Sequence, residues 1–322
     1  MKRFILVILA TAALTLSQAA PKKTKDSHIT VAVYNLTSSK TRAKDVEKGK
    51  APQQRLWTSC VDAVAAQLVE ADCDVVGLLD VCDSIAGKAG NSGLPDALDA
   101  RNSGYSWLAL SNTRPSLPYE GAYNKTQAII WKKDKYDCLD HGINWLGGYF
   151  DKNRIAGELK GDATKSVTWA RFREKSTGKE FYFMVASVNG ISNEELCRAN
   201  CENLLKIAKE IIVTDGAPSV IAGSFNMQDD TPVYKDCLAY SQWNDVYARL
   251  KEDSLLPSSE VSNKNTRNNA KGEKPSSGRP DYLFVDEFDI DSYTVIRDRY
   301  PSADGTPVYP AYGFPVVASL KY

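Results

Sequence analysis

Apolar residues recur with two different periods along the chain, and their order predicts a layered α/β protein. Residues 28–36 (HITVAVYNL) alternate and are rich in β-branched side chains, which predicts a strand ending near Asn35. Residues 53–70 place apolar side chains at helical spacing, which predicts an amphipathic helix. Residues 74–80 (DVVGLLD) are almost all apolar, as in a strand buried on both faces. Strand, helix and strand in this order form one layered unit.

The same reasoning extends to the end of the chain. Further strands are predicted at 105–110, 126–132, 136–140, 166–173, 180–188, 281–285, 291–297 and 314–320. Residues 218–227 (PSVIAGSFNM) are an apolar run that ends in a turn of small residues, typical of a buried strand that carries polar side chains to a sheet edge. Helices are predicted at 192–213 and 231–250.

Residues 253–280 contain few apolar side chains and many Ser, Asn, Lys and Gly, and we predict a mobile surface loop there. The loop carries a local group of basic residues, for which a solvated surface without an anionic partner is the preferred interpretation. The members of this group are Lys264, Arg267, Lys271, Lys274 and Arg279. With no linker or internal repeat in the sequence, residues 28–322 are predicted to form a single domain.

The first residues are typical of a cleaved signal peptide. Lys2 and Arg3 precede an apolar run over 4–16, and small residues follow at 17–20. The run is too short to span a bilayer as a helix, so we predict a signal peptide at 1–20, a polar tail at 21–27 and no membrane span after cleavage. The protein is therefore expected to be exported, to a periplasm or to the outside of the cell.

Composition restricts the choice of partners. Lys plus Arg and Asp plus Glu both number 40, so no overall field draws the protein to nucleic acid or to an acidic membrane. The seven cysteines are an odd number in a long chain, and buried thiols or one or two incidental disulfides are expected. Cys197 and Cys201 lie one helical turn apart, but no second pair at matching spacing completes a zinc site.

Six strand-end motifs stand in register over nearly the whole predicted domain, and together they carry a family resemblance. They are YN at 34–35, VVGLLD at 75–80, VTWARF at 167–172, IAGSFN at 221–226, GRPDYLFV at 278–285 and FPVVASL at 314–320. In this order they resemble the endonuclease/exonuclease/phosphatase superfamily. The resemblance implies a deoxyribonuclease I-like fold, a four-layer α/β sandwich of two facing, mostly antiparallel β-sheets with helices outside. Its active site lies at the strand ends on one edge.

The resemblance also implies Mg²⁺-dependent cleavage of phosphate esters, for which carboxylates hold the metal and histidines assist phosphoryl transfer. Asn35 matches the metal-side Asn of the family, and Asp80 stands where the family has Glu. Asn226 and Asp281 also match. If the protein is active, Asn35 and Asp80 are the expected metal ligands.

Other positions depart from the family pattern. Ser187 and Asn189 replace a His and an Asp, and Ser224 replaces the Asp of GDFN. Tyr312 and Gly313 replace the Asp and the general-base His of SDHFP. The two histidines of the sequence, His28 and His141, both lie outside the site motifs.

The first hypothesis is therefore a non-catalytic binding module, a pseudoenzyme without a cofactor. Its cleft presents neutral hydrogen-bonding groups and aromatic neighbours such as Trp169, which suit a small polar ligand, a sugar or a phosphate-containing compound. The alternative is an active Mg²⁺-dependent phosphoesterase or nuclease with a rearranged site. That site uses Asp80 and Asp281 with groups from nearby loops, such as Asp83, Asp229, Asp230 or His141.

Overall fold

The computed structural model describes residues 27–81, 93–109, 126–146, 165–188, 193–212, 216–239, 241–276 and 278–322. The predicted signal peptide and most of the polar tail lie outside these residues, as do Asp83 and Asn189. Within the described residues, no helix is both long enough and apolar enough to cross a membrane.

Most predicted strands and helices are present, some with shifted ends. The strands are β1 His28–Asn35, β2 Val75–Val81, β3 Tyr105–Ala109, β4 Thr126–Lys132, β5 Tyr136–Trp145, β6 Ser166–Glu174, β7 Glu180–Ser187, β8 Ser219–Ser224, β9 Asn244–Asp245, β10 Arg267–Asn268, β11 Pro275–Ser276, β12 Asp281–Asp286, β13 Asp289–Val295, β14 Tyr300–Pro301, β15 Pro307–Val308 and β16 Val316–Lys321. The α-helices are α1 Ser39–Glu47, α2 Trp57–Ala71, α3 Leu94–Asp99, α4 Glu194–Ile212, α5 Val246–Glu252 and α6 Ser258–Ser262. A 3₁₀ turn at Gln53–Arg55 and a π-helical turn at Tyr234–Leu238 complete the described elements.

The main strands form two six-stranded sheets. The first has the order β13-β16-β1-β2-β4-β3 and the second β5-β6-β7-β8-β12-β9. Pairing is parallel between β1 and β2 and between β7 and β8, and antiparallel between the other neighbours. These two mixed sheets and their helices confirm the predicted deoxyribonuclease I-like sandwich.

Side-chain alternation along the strands separates the core into layers. In β7, Phe181, Phe183 and Val185 enter the core between the two sheets, whereas Tyr182 and Met184 pack on the opposite face with α4. Side chains of the first sheet alternate in the same way, and those on its outer face form a third cluster with residues of α2. Strands covered on both faces need apolar side chains at nearly every position, and this explains why β2 reads VVGLLDV.

The two sheets approach closely where Gly77 of β2 faces β7. A Cβ atom at position 77 would lie 2.9 Å from Val185 Cγ2 and 3.2 Å from Phe183 Cε1. Since β2 and β7 end at the same edge of the sandwich, this close approach brings Asp80 and Ser187 to the same cleft.

Two predicted segments differ from the structure. The single helix predicted at 231–250 is divided into a π-helical turn, the short strand β9 and helix α5. Asp245 causes the break, because its carboxylate caps α5 through the N–H groups of Tyr247 and Ala248 and also pairs with Arg279.

The segment predicted as a mobile loop, 253–280, contains α6 and the β10–β11 hairpin. Its Arg279 is completely buried and bonds both carboxylate oxygens of Asp245, at 2.9 and 2.7 Å. Arg267 likewise pairs with a carboxylate. The interpretation of this basic group as a solvated surface is therefore wrong for these two residues, and polar contacts replace the apolar packing that the sequence lacks.

We expect Gly77→Ala to lower the free energy of unfolding by about 1–3 kcal/mol, because the added methyl group overpacks the core between the sheets. Chemical denaturation monitored by tryptophan fluorescence measures the change. Lys133→Ala on the exposed turn between β4 and β5 is the control, with an expected change within about 0.5 kcal/mol. An unchanged midpoint for Gly77→Ala would contradict the close packing of the sheets.

Candidate functional site

Three polar residues stand side by side at one edge of the second sheet. Ser187 pairs with Ser224 across β7 and β8, and Ser224 pairs with Asp281 across β8 and β12. Each lies two residues from a side chain of the core between the sheets, namely Val185, Ala222 and Leu283. Because strand side chains alternate, all three point into the cleft between the sheets.

The first sheet supplies the opposite wall of the cleft. Asn35 ends β1, and its Oδ1 accepts a hydrogen bond from the Thr37 N–H at 3.0 Å, so it closes a local turn. Asp80 lies beside it on β2, at an irregularity in the pairing with β4 and with a left-handed φ of 59°. Within the described part of the chain, the Asp80 carboxylate forms no hydrogen bond or ion pair, and it is partly exposed.

Asn226 follows β8 in a left-handed conformation, with a φ of 51°. Its Nδ2 donates to the Val188 carbonyl at 2.8 Å, which ties the end of β8 to the end of β7.

The guanidinium of Arg267 lies among these groups. Nη2 donates to Ser224 Oγ, to Asn226 Oδ1 at 3.1 Å and to Asp281 Oδ1 at 3.2 Å. Nε donates to Asp281 Oδ2 at 3.3 Å, so the ion pair is bidentate. Asp281 is 1 % exposed and the Arg267 side chain is 29 % exposed. Three oxygen-bearing side chains of the site thus converge on one nitrogen atom.

Electrostatics keep this guanidinium charged. Burial alone would lower the pKa of Arg267, but Asp281 and, more weakly, Asp80 outweigh it and raise that pKa. Asp80 is thus near enough to Arg267 for their charges to interact.

Neighbouring polar contacts hold Arg267 in place. The Thr266 hydroxyl donates to Asp281 Oδ2 at 2.7 Å, beside the guanidinium. Arg297 donates to the carbonyls of Asn263 and Asn265 and pairs with the buried Glu260 at 3.0 Å. The segment before Arg267 is therefore fixed at several points.

The position of the expected general base is closed to any side chain. A Cβ atom at Gly313 would lie 2.5 Å from the Asn35 carbonyl oxygen and 2.9 Å from Asn35 Cβ. The Gly313 N–H donates to the same carbonyl at 3.1 Å, and Gly313 also forms an antiparallel bridge with Arg267. A His at position 313 would require the backbone to move.

Tyr312 is directed away from the cleft, toward α1. Its ring lies 4.5 Å from the guanidinium carbon of Arg55 and 5.6 Å from that of Arg42, and its hydroxyl donates to Asp45 at 3.1 Å. Both arginines are completely buried, and their hydrogen bonds within the described residues go to carbonyl groups and to Asn268. Burial, followed by repulsion from Arg42, lowers the pKa of Arg55 to about 10.

The groups considered for a rearranged site are not gathered around Asp80. Asp229 binds Lys264 at 3.0 Å and Arg279 at 3.5 Å. Asp230 is exposed. His141 pairs through Ala170 with Phe183, four positions before the end of β7, which is roughly 13 Å along the strands from the edge.

Trp169 is also outside the cleft, contrary to the expectation of an aromatic neighbour there. It pairs with Met184 and packs on the helix-covered face of the second sheet. Its indole N–H donates to Asn144 Oδ1 at 3.0 Å.

The six cysteines within the described residues are free thiols, and Cys197 and Cys201 are buried in α4.

These residues do not fit the divalent cation that the fold family implies. Mg²⁺ requires an octahedral shell of about six oxygen ligands. The oxygens of Ser224, Asn226 and Asp281 converge instead on a guanidinium nitrogen, whose charge repels a second cation. Among the described residues, no group of three or more His, Cys, Asp or Glu side chains is arranged to hold a metal ion.

Comparison with solved structures places the fold among known proteins. An endonuclease/exonuclease/phosphatase family protein from Bacteroides thetaiotaomicron aligns with a TM-score of 0.68 and 21% identity, over 92% of this chain and 99% of that one. A mannosyl-6-phosphatase from the same organism aligns with the same score and identity, over 91% and 100%. The human Nocturnin catalytic domain aligns with a TM-score of 0.59 and 16% identity, over 92% and 96%.

These likenesses establish that the chain has the endonuclease/exonuclease/phosphatase fold over most of its length. No protein-family model and no curated protein matches the sequence.

We expect Arg267→Ala to lower the free energy of unfolding by about 3 kcal/mol, because it leaves the buried Asp281 carboxylate without its partner. Chemical denaturation at neutral pH in EDTA measures the loss. Lys271→Ala, an exposed change in the same hairpin, serves as the control and is expected to have almost no effect. A loss for Arg267→Ala no larger than that of the control would show that the ion pair does not stabilise the fold.

Proposed function

We propose that the chain is an exported, non-catalytic protein of the endonuclease/exonuclease/phosphatase fold, a binding module that uses the former active-site cleft. The observation that carries this proposal is the Arg267 guanidinium, which occupies the point where Ser224, Asn226 and Asp281 converge. This fixed cation, held by a buried carboxylate, lies where a metal ion would have to bind, and its charge repels a second cation.

The residues at positions 187 and 313, where the resemblance places histidines, support the same proposal. Activation of water for attack on phosphorus needs a proton acceptor within hydrogen-bond reach, and such a group contributes about 10²–10⁴-fold to the rate. Gly313 has no side chain and no room for one. The Ser187 hydroxyl is a poor proton acceptor at neutral pH. Without a metal ion and without a histidine at either of these positions, we expect phosphate-ester cleavage to proceed at background rates.

Export is supported by the signal-peptide pattern of residues 1–20. The alternative function is metal-dependent hydrolysis of a phosphate ester, which the likeness to a mannosyl-6-phosphatase favours. That alternative requires Arg267 to leave the cleft and another group to act as the base.

Hydrolysis assays with bis(p-nitrophenyl) phosphate and p-nitrophenyl phosphate test the proposal. With Mg²⁺ or Mn²⁺ present, we expect the full chain to show the same turnover as buffer, because its cleft binds no metal ion. The Asp80→Ala variant is expected to show the same turnover, because Asp80 is not a metal ligand in this account. Isothermal titration with Mn²⁺ is expected to show no binding tighter than about 1 mM.

Metal-dependent turnover that Asp80→Ala abolishes would overturn the proposal in favour of the hydrolase. Turnover unaffected by Asp80→Ala points to a contaminating enzyme. In that case the assay is repeated after a further chromatographic step, and turnover that co-elutes with the protein also counts against the proposal.

A further inference from the structure

We propose that the cleft binds an uncharged polyhydroxyl ligand, such as a sugar, through Asn35, Asp80, Ser187 and Arg267 and without a metal ion. This inference rests on the proposed non-catalytic function and adds the chemical class of the ligand.

Four groups at the cleft have hydrogen-bonding capacity that the described residues leave unused. The Asp80 carboxylate and the Ser187 hydroxyl have no partner there, and both residues are partly exposed. Arg267 bonds through Nε and Nη2, which leaves both N–H groups of Nη1. Asn35 bonds through Oδ1, which leaves its Nδ2. Together they form one strong acceptor, two donors and one hydroxyl that can do both.

The backbone brings these groups together from separate parts of the chain. Gly77 and Val185 are in close contact between the sheets, three residues before Asp80 and two before Ser187. On the other side, Gly313 contacts Asn35 and forms a bridge with Arg267. The four groups therefore line one cleft.

The charges in the cleft favour a neutral ligand over a phosphate. Asp281 already pairs with Arg267, and Asp80 forms no ion pair with another described residue, so the described part of the cleft has a net negative charge. In a metal-dependent relative, a divalent cation separates such a carboxylate from the phosphate. With no metal in the cleft, Asp80 repels a phosphate dianion directly.

The hydroxyl groups of a ligand match the donors and acceptors that remain unused in the cleft. Each hydroxyl can donate to the Asp80 carboxylate and accept from Arg267 Nη1 or Asn35 Nδ2, so neighbouring hydroxyls satisfy donors and acceptors together. Arg267 is held by Asp281 and by the segment that Arg297 fixes, so little side-chain entropy is lost on binding.

Binding of the full chain to an array of neutral, acidic and phosphorylated glycans in EDTA tests the inference. Titration of methyl α-mannoside and mannose 6-phosphate, a pair in which the phosphate is the main difference, accompanies the array. We expect binding to one or more neutral glycans, and for each pair weaker binding of the phosphorylated member. Absence of binding to every neutral glycan, or stronger binding of the phosphorylated members, would overturn the inference.

Asp80→Asn removes the negative charge of this side chain and nearly preserves its shape. It is expected to weaken binding of the neutral glycan by about tenfold or more, because it replaces hydrogen bonds to a charged acceptor. It is also expected to narrow the difference in affinity between neutral and phosphorylated glycans, because the charge that repels phosphate is gone. A loss of folding would not produce this effect. Asp230→Asn, an exposed change beyond the end of β8, is the matched control and should leave both unchanged. Equal affinities for Asp80→Asn and the unaltered chain would exclude Asp80 from the site and contradict the inference.

The outcomes distinguish this inference from the function on which it rests. If the protein neither hydrolyses phosphate esters nor binds neutral glycans, the ligand class is wrong while the non-catalytic function stands. If it cleaves phosphate esters with a metal ion, the proposed function itself fails.

Discussion

The ion pair between Arg267 and Asp281 decides the character of the cleft. Asp281 is almost completely buried, and removing its partner would leave a carboxylate in a low-dielectric environment at a cost of several kcal/mol. Two kinds of cation can meet this requirement in such a fold, a metal ion from solvent or a side chain of the protein. Here the β10–β11 hairpin begins with Arg267, and the bidentate geometry with Asp281 suits a guanidinium better than an ammonium group.

Other features of the edge are consistent with that arrangement. Residues 266–268 bond to residues 312–314 through backbone groups, and this pairing lies where Gly313 contacts Asn35. A side chain at position 313 would collide with Asn35, so the glycine permits this close approach beside Arg267. Asn268 belongs to the same arrangement, since it bonds the buried Arg55 at 2.9 Å and the Tyr312 carbonyl at 3.0 Å.

Arg42 and Arg55 lie behind this edge of the cleft. They bring two positive charges into the wall behind Tyr312, where backbone carbonyls rather than carboxylates receive their hydrogen bonds. The Nε of Arg55 is buried and has no partner within the described residues. Tyr312 covers both guanidinium groups with its ring, so an aromatic residue at this position has a structural reason.

The sequence predicts the sandwich well because the strands are covered on both faces and therefore consist of recognisable apolar runs. It also predicts that Asn35, Asp80, Ser187, Ser224 and Asp281 lie at strand ends. It does not predict Arg267 in the cleft, because that contact joins residues 41 and 43 positions apart through a polar segment. The same limitation applies to Asp245 and Arg279, whose pairing divides a predicted helix and orders a predicted loop. Apolar periodicity contains no information about such polar pairs.

Anomalous diffraction from crystals grown with Mn²⁺ tests the central claim most directly, in the unaltered chain and in Arg267→Ala. The account predicts no anomalous peak among Ser224, Asn226 and Asp281 in the unaltered chain. It also predicts that the Arg267 side chain fills this position. A peak is expected in Arg267→Ala, where the vacated oxygens can accept a cation. A Mn²⁺ ion bound at these residues in the unaltered chain, with Arg267 displaced, would contradict the account.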